Sequence, residues 1–92
     1  MKISGRQVTA ARDLLGITQA ELAEAAGVSL QTIFRFEAGK AEPYASSLEK
    51  IVGELERRGI EFTNGDGIGV RLVSRKAAEY ARAKGQVPGG TD

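Results

Sequence analysis

Apolar residues recur at helical spacing through the first two thirds of the chain, then switch to strict alternation. In "RQVTAARDLL" (6–15), Val8, Ala11, Leu14 and Leu15 form a stripe with a period near 3.6, and Gly16 stops it. Thr18 begins a second helix, "TQAELAEAAG". Glu21 stands three residues on, the spacing of a capping box, and Leu22, Ala25 and Ala26 form its apolar side before Gly27. Ser29 caps a third helix, "SLQTIFRFEAGK", which places Ile33 and Phe36 on one side and ends at Gly39. Pro43 suits the first turn of a fourth helix over 44–58, with Leu48, Ile51, Val52 and Leu55 inward, the reverse face charged, and Gly59 as the stop.

The period then becomes two. "IEFT" (60–63) and "VRLVS" (70–74) alternate, and "NGDGIG" lies between them. Asn and Gly tolerate positive φ, so this reads as a β-hairpin turn. A lone two-stranded hairpin is marginal in water. It is expected to pack on the helices, pair with another chain, or both. Ser74 is placed to cap a short alanine-rich helix, "RKAAEYARAKG", anchored by Tyr80, and "QVPGGTD" reads as a disordered tail. The expected organisation is a helical domain over 1–58, a hairpin over 59–74 and a short helix with a tail over 75–92.

Composition narrows the chemistry. The 92 residues make one small domain, with 41% hydrophobic and 27% charged residues. No run of about 18 apolar residues occurs, so no membrane span is expected. The N-terminal segment lacks the apolar region of a signal peptide, and a cytoplasmic location is the expectation. Cysteine and histidine are both absent, which removes thiolate catalysis, disulfides and the commonest general base and metal ligands. With no carboxylate pair evident, neither an enzyme nor a cofactor is expected. "NGDGIG" fits neither a phosphate loop nor a twelve-residue calcium loop. The net charge is +1, so any nucleic-acid contact must come from local placement.

Two short helices, capped at Thr18 and Ser29 and joined by Ala26-Gly27-Val28, have the length and punctuation of a helix-turn-helix. On a wheel of 100° per residue, Ser29, Ile33, Phe36 and Glu37 share one side of the second helix, and Leu30, Gln31, Phe34 and Arg35 the other. Arg35 can donate two parallel hydrogen bonds to guanine and Gln31 can pair with adenine, while Leu30 can touch a thymine methyl. The alternative for Arg35 is an ion pair with Glu42. Backbone N–H groups at the Thr18 and Ser29 helix starts suit phosphate oxygens.

The stretch "ITQAELAEAAGVSLQTIFRFEAGKAEP" resembles the phage-repressor (Cro/Xre-type) helix-turn-helix family, through Thr18-Gln19, Glu21-Leu22-Ala23, Ala26-Gly27-Val28-Ser29, Thr32-Ile33, Glu37, Gly39 and Pro43. The resemblance covers roughly residues 6–56. It implies a mainly α fold, a lambda-repressor-like helix-turn-helix bundle of four or five helices, here with a C-terminal β-hairpin. It also implies a DNA-binding transcriptional regulator, most often dimeric. Carried over by position, Leu30, Gln31 and Arg35 fall where the family reads base edges. Thr32 and Lys40 fall where it contacts phosphates. Gln19 matches a glutamine that contacts a phosphate and braces the recognition helix, and Arg12 and Glu37 match a buried salt bridge. Phe34 departs from the pattern, which is small or polar there. The expected partners are double-stranded operator DNA and a second copy of the chain. The alternative is a protein-interaction module on the same fold, an anti-activator or antitoxin, with a protein partner.

Overall fold

Hydroxyl side chains start the first three helices. The computed structural model describes residues 2–85, and in it Ser4 opens α1 (Gly5–Leu15), Thr18 opens α2 (Gln19–Ala26) and Ser29 opens α3 (Leu30–Glu37). Each hydroxyl oxygen accepts the N–H three residues on, at 3.2, 3.0 and 3.1 Å. A cap of this kind is worth about 1 kcal/mol. Thr18 and Glu21 close the expected capping box, with the Thr18 N–H donating to Glu21 Oε1 at 2.8 Å. Ser4 and Gln7 form a second one. Gly27 turns the chain between α2 and α3 with φ of 76°, a left-handed conformation that glycine adopts without strain.

The core is one cluster. Val8 and Ala11 of α1, Leu22, Ala23 and Ala26 of α2, and Ile33 and Phe36 of α3 meet Ile51 and Leu55 of α4 (Ala45–Arg57). Ile60 of β1 (Ile60–Thr63) closes the same cluster. Within α2 the alanine buried beside Ala26 is Ala23, not Ala25, because the face toward α3 and α4 runs through 22, 23 and 26. Leu14 stands at the rim of the α1 stripe and is exposed. At Gly5 a Cβ would lie 2.0 Å from the Phe36 carbonyl oxygen, so α1 and α3 approach here only because the residue has no side chain.

Three local expectations change. Pro43 precedes the N-cap Tyr44 rather than entering α4, and it fixes the approach of the loop to the helix. Val73, not Ser74, is the N-cap of α5 (Ser74–Ala83). The Val73 N–H is still bonded to the Gly59 carbonyl at 2.8 Å, so the chain stays extended through Val73 and the helix starts one residue later. Glu54, on the side of α4 that the pattern gives to solvent, is buried between Arg57 and Arg58, with each of its oxygens accepting one bond of 2.8 Å. Burial pushes the Glu54 carboxyl pKa up, and the two arginines more than reverse this, leaving it below its ordinary value. Arg58 also lies 4.9 Å above the Tyr80 ring, which holds α5 against α4.

β1 pairs antiparallel with β2 (Gly69–Leu72), with Ile60 opposite Leu72 and Phe62 opposite Val70. The turn between them adopts no left-handed backbone at Asn64 or at any of its glycines. It is held from outside instead. Gln7 of α1, only 2% exposed, turns its amide nitrogen to the Thr63 carbonyl (3.2 Å), Asn64 Oδ1 (2.9 Å) and the Gly69 carbonyl (3.1 Å). Two hydrogens are shared among three acceptors. Asn64 in turn donates to the Lys2 carbonyl, which ties the N-terminus to the hairpin. The hairpin therefore packs on α1 and is not a free ribbon. Among the described residues no helix is long and apolar enough to cross a membrane. The tail expected over 86–92 lies outside the described residues.

Candidate nucleic-acid interface

The third helix has a satisfied side and an open side. On the satisfied side Glu37 is gripped by α1. Arg12 meets it with two bonds of 2.7 Å, Nε to Oε2 and Nη2 to Oε1. Thr9 donates to the same Oε1 at 2.9 Å, and Gln19, from the start of α2, at 3.0 Å. A third Arg12 nitrogen donates to the Ile17 carbonyl in the loop between α1 and α2. One carboxylate thus ties three helices together, and its partner Arg12 adds the loop. The Arg12 and Glu37 side chains are 14% and 5% exposed. Burial pushes the Glu37 pKa up, but the bonds from Arg12, Gln19 and Thr9 outweigh it and hold the carboxyl below its ordinary range. The Glu37 bond likewise raises Arg12 against the opposing cost of burial. Both groups stay charged, and each cancels the other.

On the open side, Gln31 and Arg35 are exposed one turn apart. Arg35 has no ion-pair partner among the described residues. Glu42, the acid considered for it, pairs with Lys2 at 2.8 Å. Gln31 and Arg35 border a groove of about 460 Å³ whose far wall is Glu42, Tyr44 and Ser47 from the segment entering α4. Leu30 borders a second depression with Thr18 and Gln19, so the start of α2 and the start of α3 share one surface. Lys40 stands exposed beyond the end of α3.

The two helix starts are partly used already. The Thr18 N–H is taken by Glu21 and the Thr32 N–H by Ser29. The Thr32 and Ser29 hydroxyls are bonded to each other at 2.8 Å. What stays open for an anion are the first-turn N–H groups of Gln19 and Ala20 in α2, and of Leu30 and Gln31 in α3, which no carbonyl of their own helix can reach. Gln19 has its amide toward Glu37, yet an NH₂ group carries a second hydrogen.

Sequence reasoning misses Thr9, Gln7 and Tyr44. Thr9 lies three residues before Arg12 on the same face of α1, so helical spacing carried a signal. The pattern Ser4-x-x-Gln7 is a capping signature that pointed to a role for Gln7 at the helix start, though not to its hairpin bonds. Tyr44 carries no local signal.

A family model described as Helix-turn-helix (HTH_3) matches residues 8–61, from the second turn of α1 to the first strand of the hairpin. The comparison with curated proteins gave no match. With the capped helix pair, the glycine turn and an open face on α3, the match leads to one conclusion: the chain belongs to the Cro/C1-type (Xre-like) helix-turn-helix family of DNA-binding regulators.

Proposed function

We propose that the chain is a sequence-specific transcriptional repressor that binds a palindromic operator as a homodimer and acts in the cytoplasm. The observation that carries this reading is the Gln31–Arg35 row on the outer side of α3, exposed and unpartnered among the described residues. In this reading α3 enters the major groove. Arg35 takes a guanine edge, Gln31 an adenine edge, and Leu30 an apolar contact. Thr18, Gln19, Ser29, Thr32 and Lys40 set the register on phosphates: Gln19 through its own N–H and second amide hydrogen, Thr18, Ser29 and Thr32 by shaping the helix starts whose first-turn N–H groups stay open, and Lys40 through its charge. Arg12 and Glu37 touch no DNA and hold α3 at its angle. The helical part over 1–58 reads the operator, and the hairpin with α4 carries self-association. Each strand keeps one edge without a strand partner among the described residues, and Leu48 and Val52 of α4 are only half-buried.

Selection of bound duplexes from a random pool tests the whole reading. The expected result is a palindrome with half-sites about one helical turn apart. Asymmetric sequences would remove the symmetric dimer, and no enrichment at all would remove the DNA-reading role. The exposed ring of Phe34 supports a second reading, a protein-interaction module of the anti-activator or antitoxin kind. That reading requires no gel shift at low salt on DNA from the protein's own locus.

A further inference from the structure

The outer side of α3 repeats a two-residue unit. Leu30-Gln31 stands one turn before Phe34-Arg35, each time an apolar residue followed by a hydrogen-bonding one. Leu30 is 50% exposed and Phe34 52%. The fold has no need of either position, since Ile33 and Phe36 fill the core from the other side of the helix. We propose that Phe34 and Leu30 read thymine 5-methyl groups, which makes Phe34 a specificity-determining residue for a thymine beside the base edge that Arg35 takes. This rests on the DNA-reading role given to α3 above.

Among the base edges of the major groove, thymine alone presents a methyl group. An apolar ring carried into that groove therefore has one kind of favourable partner. Over cytosine it meets no methyl. Over a purine it displaces water from polar atoms without replacing the lost hydrogen bonds. The face itself favours DNA over an apolar protein surface as its occupant. Arg35 is adjacent to Phe34, exposed and unpaired among the described residues, and a partner covering the ring would bury that guanidinium too. A guanine edge satisfies it, whereas an apolar protein patch leaves it desolvated and unpaired. Spacing adds a second constraint. Four residues of helix rise about 6 Å, a little under two base steps of about 3.4 Å. The two methyl contacts thus fall about two steps apart in each half-site.

The experiment uses the operator recovered by selection, with each thymine replaced singly by deoxyuracil, which removes only the methyl. Affinities are measured for the full chain and for its Phe34→Ala and Leu30→Ala variants, with thermal melts as a folding control. Expected is a deoxyuracil position that weakens the wild type about fourfold, the equivalent of one apolar carbon returned to water. Phe34→Ala binds the two duplexes at that position equally and melts like the wild type. Leu30→Ala loses the discrimination at a second position, about two base steps away. The proposal is overturned if no deoxyuracil matters, or if Phe34→Ala keeps the full ratio of thymine to deoxyuracil affinity. In either case specific binding to the selected operator would leave the DNA-reading role standing. Failure to recover any operator would remove both.

Discussion

The inner and outer sides of α3 differ in what their side chains lack. Inside, Ile33 and Phe36 are enclosed, and both oxygens of Glu37 accept bonds from α1 or α2. Outside, Leu30, Gln31, Phe34 and Arg35 face water, and no ion pair is formed among the described residues. Eight residues thus carry two separable tasks. Contacts that hold the helix in place include none of the proposed readers, so the outer side can vary without loss of the fold. The inner side also protects the outer one electrically. A lone carboxylate at position 37 would oppose phosphates close to the proposed DNA face, but Arg12 neutralises it at 2.7 Å.

The largest effect is expected from Glu37→Ala, which strands the Arg12 guanidinium in a mostly buried site. Removing one partner of such a pair costs about 3 kcal/mol or more. Denaturant unfolding should show that loss, and a much smaller one would mean that the inner side is not where α3 is held. The same carboxylate predicts a pH dependence. Its folded pKa lies below the ordinary 4.5. Its contribution is therefore complete above about 4.5 and is lost as pH falls through the lower folded value. Unfolding curves of the Glu37→Ala protein should lack this part of the acid destabilisation.

Gly5→Ala comes next. A methyl placed 2.0 Å from a backbone oxygen forces α1 away from α3. A loss of about 1–3 kcal/mol in stability is expected, with operator affinity falling as α3 tilts. On the outer side, Arg35→Ala should weaken operator binding by about 1–3 kcal/mol and relax specificity at one base pair. Its melting midpoint should match the wild type, and a shifted midpoint would break the separation of the two sides. The smallest effect is that of Phe34→Ala on stability, expected within about 0.5 kcal/mol by calorimetry.

Much of the helical part was legible because its signals are local. Thr18 with Glu21, Ser29 and Gly27 each act within four residues of themselves, and the wheel separates Phe36 from Phe34 because the eight residues of α3 form one uninterrupted helix. Errors arose where a distant partner decides the outcome. The hairpin bonds of Gln7 have no local signal, since its acceptors lie 56 to 62 positions away. "NGDGIG" reads as a left-handed turn, yet bonds from Gln7 hold it in other conformations. Val73 displaces Ser74 as the cap because Gly59 holds its N–H. Ala25 was preferred to Ala23 because an eight-residue helix has too few apolar positions to define its face alone. The outer side of α3 was legible as geometry, because helical spacing alone separates Gln31 and Arg35 from Ile33 and Phe36.

Gln7 has a consequence for how the molecule assembles. Its carbonyl oxygen accepts the Ser4 N–H at the start of α1, while its amide nitrogen bonds the hairpin turn. The capping side chain of the first helix therefore has its buried amide nitrogen satisfied only when the hairpin has docked. The second strand of that hairpin lies beyond the residues the family model matches. Loop closure over some sixty residues is slow and entropically costly. The unfolding transition should thus take in both ends of the chain as one cooperative unit. In native-state hydrogen exchange, the amides of Gln7 and Val8 and those of the hairpin should open together.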